Sequence, residues 1–137
     1  MYEFHGWATI RESPVDVDEG NLRKIANNIQ DHVRQLNWVS GSIELKWING
    51  IPMFNVAGKT NHRSQDADEL FETYELIAKT APGSYGVLFI WNDEDKNGYD
   101  NEFRVFVLAR GKVVENIDPF LSPCVPMIED PYVETDE

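Results

Sequence analysis

The dipeptide Asn49-Gly50 restricts this chain's fold more than any other feature, because both residues tolerate the positive φ that a two-residue type I′ turn demands. The segments on either side, residues 42–48 and 51–57, read as the two strands of a β-hairpin. The turn fixes the register: Trp47 faces Pro52, Leu45 faces Phe54 and Ile43 faces Val56, which puts these six side chains on one buried face. Pro52 lacks an N–H, which suits an edge strand or a bulge. The hairpin is therefore expected at one margin of a sheet.

Other elements follow from periodicity. Tyr2, Phe4, Ala8 and Ile10 share one parity and Glu3, His5, Trp7 and Thr9 the other, so residues 2–11 form a strand that Ser13-Pro14 ends. From about 21 to 37, Leu22, Ile25, Ala26, Ile29, Val33 and Leu36 make one helical stripe. Asp66 and Glu69 have capping-box spacing, and Ala67, Leu70, Phe71, Tyr74, Ile77 and Ala78 continue a second helix to about Thr80, before Pro82-Gly83. Residues 85–91 are almost continuously apolar, as in a central strand covered on both faces. A second hairpin, 102–109 with 112–117, turns at Arg110-Gly111. From about 118, Pro119, Pro123, Pro126 and Pro131 exclude helix and sheet interior and leave an extended segment across the fold. The order β-α-β-β-α-β-β-β predicts an α+β domain over 1–137: an antiparallel or mixed sheet with two helices on one face.

Charge narrows the function. Twelve basic against twenty-four acidic residues give a net charge of −12 in 137 residues, which disfavours direct binding to nucleic acid or anionic membrane. Residues 1–65 hold seven acids and seven bases, while residues 66–137 hold seventeen acids and five bases, so the whole excess lies in the second half. The balanced half permits self-association through a neutral face, with the oligomeric state left open. No apolar run approaches the roughly 20 residues of a membrane-spanning helix, and the first residues lack the basic flank and apolar core of a signal peptide. The single cysteine, Cys124, is free or pairs between chains, which favours a reducing, cytoplasmic setting.

Motifs for catalysis are missing. His5, His32 and His62 have no second histidine or cysteine at metal-ligand spacing, and read as surface or boundary residues. There is no nucleophile elbow, P-loop or dinucleotide fingerprint, so neither an enzyme nor a cofactor is expected. Asp93-Glu94-Asp95-Lys96-Asn97-Gly98 matches the first half of an EF-hand loop, but the twelfth position is Arg104 where a bidentate Glu belongs, and the flanks are strands. A weak calcium-binding or structural module using Asp93 to Asn97 is thus the alternative reading. The main one is a recognition surface: Asp93, Glu94, Asp95, Asp100 and Glu102, with Tyr99 among them and Trp91 entering the loop, complement a basic protein surface. Glu129, Asp130 and the acidic residues 134–137 extend it. Of the four tryptophans, Trp7 stands on the more polar side of its strand and is expected to be partly exposed.

Phe4-His5-Gly6-Trp7, Gly83-Ser84-Tyr85-Gly86, Asp93-Glu94-Asp95, Arg110-Gly111 and Asp118-Pro119-Phe120-Leu121-Ser122-Pro123 together resemble the immunity protein 7 family of bacterial polymorphic-toxin systems, nearly end to end. Another acidic, tryptophan-containing α+β immunity superfamily fits the element order less well. The resemblance implies a cytoplasmic antitoxin that binds a cognate toxin domain encoded beside it, and it carries no catalytic residues. A basic nuclease toxin fits the charge, because carboxylates can occupy phosphate positions in its cleft. The Gly-Trp, Arg-Gly and Leu-Ser-Pro segments are assigned to maintaining the fold.

Overall fold

A computed structural model describes residues 1–15 and 20–134. The acidic residues Asp136 and Glu137 lie outside the described residues. The elements are β1 (Tyr2–Thr9), α1 (Leu22–Arg34), β2 (Gly41–Ile48), β3 (Ile51–Thr60), α2 (Gln65–Thr80), β4 (Tyr85–Asn92), β5 (Arg104–Ala109), β6 (Lys112–Ile117) and a helical turn, α3 (Cys124–Met127). The six strands form one antiparallel sheet in the order β2-β3-β1-β4-β5-β6. Helices α1 and α2 cover one face of it, as an α+β class requires.

The first hairpin has the register its turn dictates: Trp47 pairs with Pro52, Leu45 with Phe54 and Ile43 with Val56. Asn49 and Gly50 take φ of 51° and 77°. At the second hairpin Arg110 and Gly111 take 50° and 77°, so a left-handed arginine performs the role asparagine has in the first. Of the two strands of the first hairpin, β2 is the edge strand. Pro52 lies on β3, an interior strand, which corrects the expectation from its missing N–H. The β1–β3 ladder ends at Thr9–Met53, and beyond it Pro52 needs only its carbonyl, which accepts from the Ile10 N–H at 3.0 Å. The six paired side chains share the helix-facing side, but Trp47 at the hairpin's tip stays 44% exposed because neither helix reaches it.

Burial drives the assembly. Phe4, Ile10, Ile29, Phe54, Leu70, Tyr74, Ile77 and Leu88 are completely buried between helices and sheet, each apolar chain contributing roughly 1.5–3 kcal/mol of transfer free energy. α1 stops at Arg34, earlier than its stripe allows, with the Gln35 and Leu36 N–H groups turning back to the His32 and Val33 carbonyls. The capping box at Asp66 does not form. α2 starts two residues sooner, at Gln65 after an extended Ser64, so Asp66 falls in the first turn, where its charge suits the helix dipole. Glu69 instead accepts a hydrogen bond from Trp38 Nε1 at 3.1 Å.

One glycine sets the distance between α2 and the sheet. Tyr74 sends its hydroxyl onto β1 above Gly6, and a Cβ at Gly6 would collide with that hydroxyl and press within 3.0 Å of the Val87 carbonyl oxygen. The hydroxyl donates to that carbonyl at 2.9 Å. Gly86 answers a similar demand one strand over, since its Cβ would strike the backbone carbonyl of Trp7. Gly6 and Gly86 therefore both serve close backbone approach.

The other face of the sheet is covered only at one end. The segment after Asp118 crosses there and includes the turn α3 where the prolines argued for extension alone. That turn is short, and Val125 within it is non-helical. Cys124 packs against Trp91 and Phe103 in a second, smaller cluster. Burial of β4 on its second face is accordingly partial: Trp91 is buried, whereas Tyr85 at the opposite end is exposed.

Gly6→Ala is expected to destabilise the fold by about 2 kcal/mol or more through overpacking, and Tyr74→Phe by about 1 kcal/mol through the lost hydrogen bond. The double variant should cost less than the sum, because removing the hydroxyl relieves the collision; urea unfolding of all four proteins measures the coupling. Burial also pushes the Tyr2 phenol up to about 12. Stability from this group is fully present below the ordinary phenol value near 10 and is lost as pH rises toward 12, so Tyr2→Phe should flatten the fall of the melting temperature over that range.

Candidate functional site

Residues 93–103 join β4 to β5, and the sequence signals at each end explain the loop's shape. Trp91 turns inward, 6% exposed, and its Nε1 donates to the Asp100 carbonyl at 2.9 Å, closing the loop's base. Its ring therefore braces the loop instead of offering contact surface. Asp95 Oδ1 accepts from the Asn97 N–H at 2.7 Å, and Gly98 takes a φ of 93°, which turns the tip. Tyr99 stands beneath Arg104, whose guanidinium carbon lies 3.8 Å from the ring centroid, and Arg104 also pairs with Glu115.

The carboxylates do not converge on a common point. Asp93 lies 2.7 Å from the Met1 ammonium, and Glu94 lies 3.3 Å from that ammonium and 2.6 Å from His62 Nδ1. The His62 hydrogen bond, aided by the ammonium, lowers the Glu94 carboxyl below the usual carboxylate range, and the Asp93 hydrogen bond raises the ammonium. Among the described residues no group of three or more His, Cys, Asp or Glu side chains is arranged to hold a metal ion. His5 and His62 are exposed, and His32 Nε2 lies 2.9 Å from Thr73 Oγ1 at the α1–α2 boundary.

Beside the loop is a cavity of about 370 Å³ with an aromatic and aliphatic floor of Tyr2, Phe71, Ile90, Tyr99 and Phe106, and Glu94 and Asp95 among its walls. Phe71 belongs to α2, so the cavity joins the loop to that helix. The helix's own acids lie outside the acidic loop that the sequence singles out: Asp66, Asp68, Glu69, Glu72 and Glu75 fall within ten residues, with Asp68, Glu72 and Glu75 exposed. Their helical spacing was the available signal. The lining itself is mixed in charge: Arg63, paired with Asp68 at 2.8 Å, Lys96 and Arg104 stand among Glu94 and Asp95.

At the far end of the loop, Asn101 clamps the crossing segment. Its side chain accepts from the Val125 N–H at 2.8 Å and donates to the Val125 carbonyl at 3.1 Å, while its own carbonyl accepts from the Cys124 N–H at 2.8 Å. Upstream, the buried Asp118 carboxylate accepts from the Phe120 and Leu121 N–H groups and the Ser122 hydroxyl. The Asp118-Pro119-Phe120-Leu121-Ser122 segment is thus a self-contained turn held by one carboxylate. Glu129 and Asp130 follow it and are exposed. Cys124 is fully buried, which withdraws it from pairing with another chain.

A six-stranded antiparallel sheet covered by two helices, with an acidic, aromatic-lined loop between β4 and β5, defines an α+β domain. A family model, immunity protein 7, matches residues 1–130, and the chain belongs to that family of immunity proteins. Neither a curated protein nor a solved structure matches it. No helix among the described residues is long and apolar enough to cross a membrane.

Burial, first of all, and the nearby carboxylates push the Cys124 thiol up to about 11, which lowers its thiolate fraction near pH 8 roughly 100-fold against an ordinary thiol. A thiol-reactive dye should therefore label Cys124 only on the timescale on which its segment opens, and label it promptly in denaturant.

Proposed function

We propose that the protein neutralises a cognate toxin domain by stoichiometric binding, and that the acidic side built from α2 and the 93–102 loop covers a cationic surface of that toxin. Membership of an immunity family supports the antitoxin role. One observation carries the choice of surface: the cavity is lined by Phe71 of α2 together with Tyr99, Glu94 and Asp95 of the loop, so the acid-bearing helix and the acidic loop border one apolar depression. Carboxylates around such a depression speed encounter with a basic partner, and the aromatic floor supplies contact area once it docks.

Within the loop the acids divide by role. Asp93 and Glu94 are held by the Met1 ammonium and His62, so Asp95, Asp100 and Glu102, with exposed Tyr99, are the groups that meet the partner. Glu72 and Glu75 join them from α2, and Glu129 and Asp130 extend the surface past the Asn101 clamp. A basic nuclease is the toxin class this charge suits, because inhibitor carboxylates can occupy the positions its cleft reserves for phosphates. Binding alone achieves inhibition, with no catalytic step by this chain.

The product of the adjacent reading frame should co-purify with the chain in a one-to-one complex. Combined Glu72→Lys, Glu75→Lys and Asp95→Lys should slow association roughly tenfold and flatten its dependence on salt. An unchanged rate and salt slope in stopped-flow measurements would remove this surface from the interface.

A further inference from the structure

We propose that the uncovered face of the sheet is a self-association surface on which two copies of this chain pack face to face. The register aligns Glu44, Asn55, Trp7, Val87, Val107 and Val114 in one row across all six strands. The row beside it carries Lys46, Met53, Thr9 and Tyr85. Trp7, Tyr85 and Val114 are 42%, 45% and 53% exposed, and the Trp7 and Tyr85 rings meet edge to face at 6.1 Å. Neither helix lies on this side, and the crossing segment covers only the end at Trp91 and Phe103. The result is a rigid aromatic and branched-chain surface on the most firmly paired part of the molecule.

Charge selects the occupant. The side chains that the strands present on this face include two acids, Glu3 and Glu44, and three bases, Lys46, Lys59 and Lys112, a net of +1. Since the whole chain is −12, the remainder carries −13. A cationic toxin drawn to the acidic side gains no attraction here. A second copy, repelled by every acidic surface, meets none of that repulsion on this face. Two-fold packing is also self-complementary: an axis running across the strands exchanges the Trp7 row with the Tyr85 row, which brings Glu44 of one copy over Lys46 of the other. An apolar cleft of about 280 Å³ at the margin, lined by Phe89, Phe103, Leu121 and Ile128 with Glu3 and His5, continues the contact surface.

Size sets the strength. Six strands about 4.8 Å apart and two rows about 6.7 Å apart give a bare area of roughly 390 Å² per copy, below the roughly 1,000 Å² in total of a stable specific interface and in the range of a weak one. Association should therefore be reversible and micromolar. The acidic side of both copies remains outward, so this inference stands independently of how the toxin is bound.

Sedimentation velocity on the full chain, from about 1 to 300 µM, tests it by mass action. Wild type should shift from monomer to dimer over that range. Trp7→Glu should weaken the dimer at least tenfold, with circular dichroism and melting temperature retained. Val114→Lys, at an exposed position on an edge strand, repeats the test should Trp7→Glu not fold. The triple charge reversal on the acidic side should leave the dimer intact, which separates this face from the toxin surface. A wild-type monomer at the highest concentration overturns the proposal. So does a dimer that survives both face substitutions, which would assign association to the open edges at β2 and β6. Loss of toxin binding in Trp7→Glu without any wild-type dimer gives the face to the toxin instead.

Discussion

Tyr74 holds this fold in register. A phenol on the middle of α2 reaches the sheet only because β1 has no side chain at Gly6, and the hydrogen bond it makes there, to Val87, belongs to the neighbouring strand β4. One side chain thus links a helix to the two central strands, in a place where an unpaired hydroxyl would be costly. With α2 fixed at that height, Phe71 falls against Phe106 with ring centroids 4.9 Å apart, and the floor of the loop-side cavity is in place. α2, which carries acids on its outer face, then borders the same cavity as the β4–β5 loop, although β4 separates the two in sequence. The proposed toxin surface depends on that depth of insertion.

Legibility in the sequence followed the range of the interactions. The Asn49-Gly50 hairpin was readable to the residue because a two-residue turn leaves one register, and the structure has it. Strand parity in β1 correctly separated the buried Phe4 and Ala8 from the half-exposed Trp7. What escaped was anything decided by a distant partner. Glu69 looked like half of a capping box until Trp38, thirty-one residues away, supplied a donor. Pro52 looked like an edge residue because its missing N–H is a local fact, while the position where the β1 ladder stops is not. Trp91 looked like a loop aromatic, and only the crossing segment with Cys124 explains its burial.

The acidic loop shows the same limit in its chemistry. Five carboxylates in ten residues announce a negative field, but their division of labour depends on the Met1 ammonium and His62, which come from two other parts of the chain. Partial resemblance to a calcium loop arose because Asp, Asn and Gly are also the residues of tight turns: Asp95 and Gly98 shape the tip with the hydrogen bond and the positive φ that such turns use. Composition located the charge, and tertiary contacts decided which of it is paired: Asp93 and Glu94 are exposed yet engaged by Met1 and His62.

The crossing segment has a consequence of its own. Asp118 gathers three donors from its own neighbourhood, and Asn101 grips the backbone farther along, so this strap owes its shape to two polar anchors and a small apolar cluster instead of to the main core. Regions tied so lightly open as separate cooperative units while the rest stays folded. Unbuckling here would bare Phe89, Trp91 and Phe103 and lengthen the greasy side of the sheet by a further strip. Asn101 is thereby the latch that keeps a sticky surface from growing.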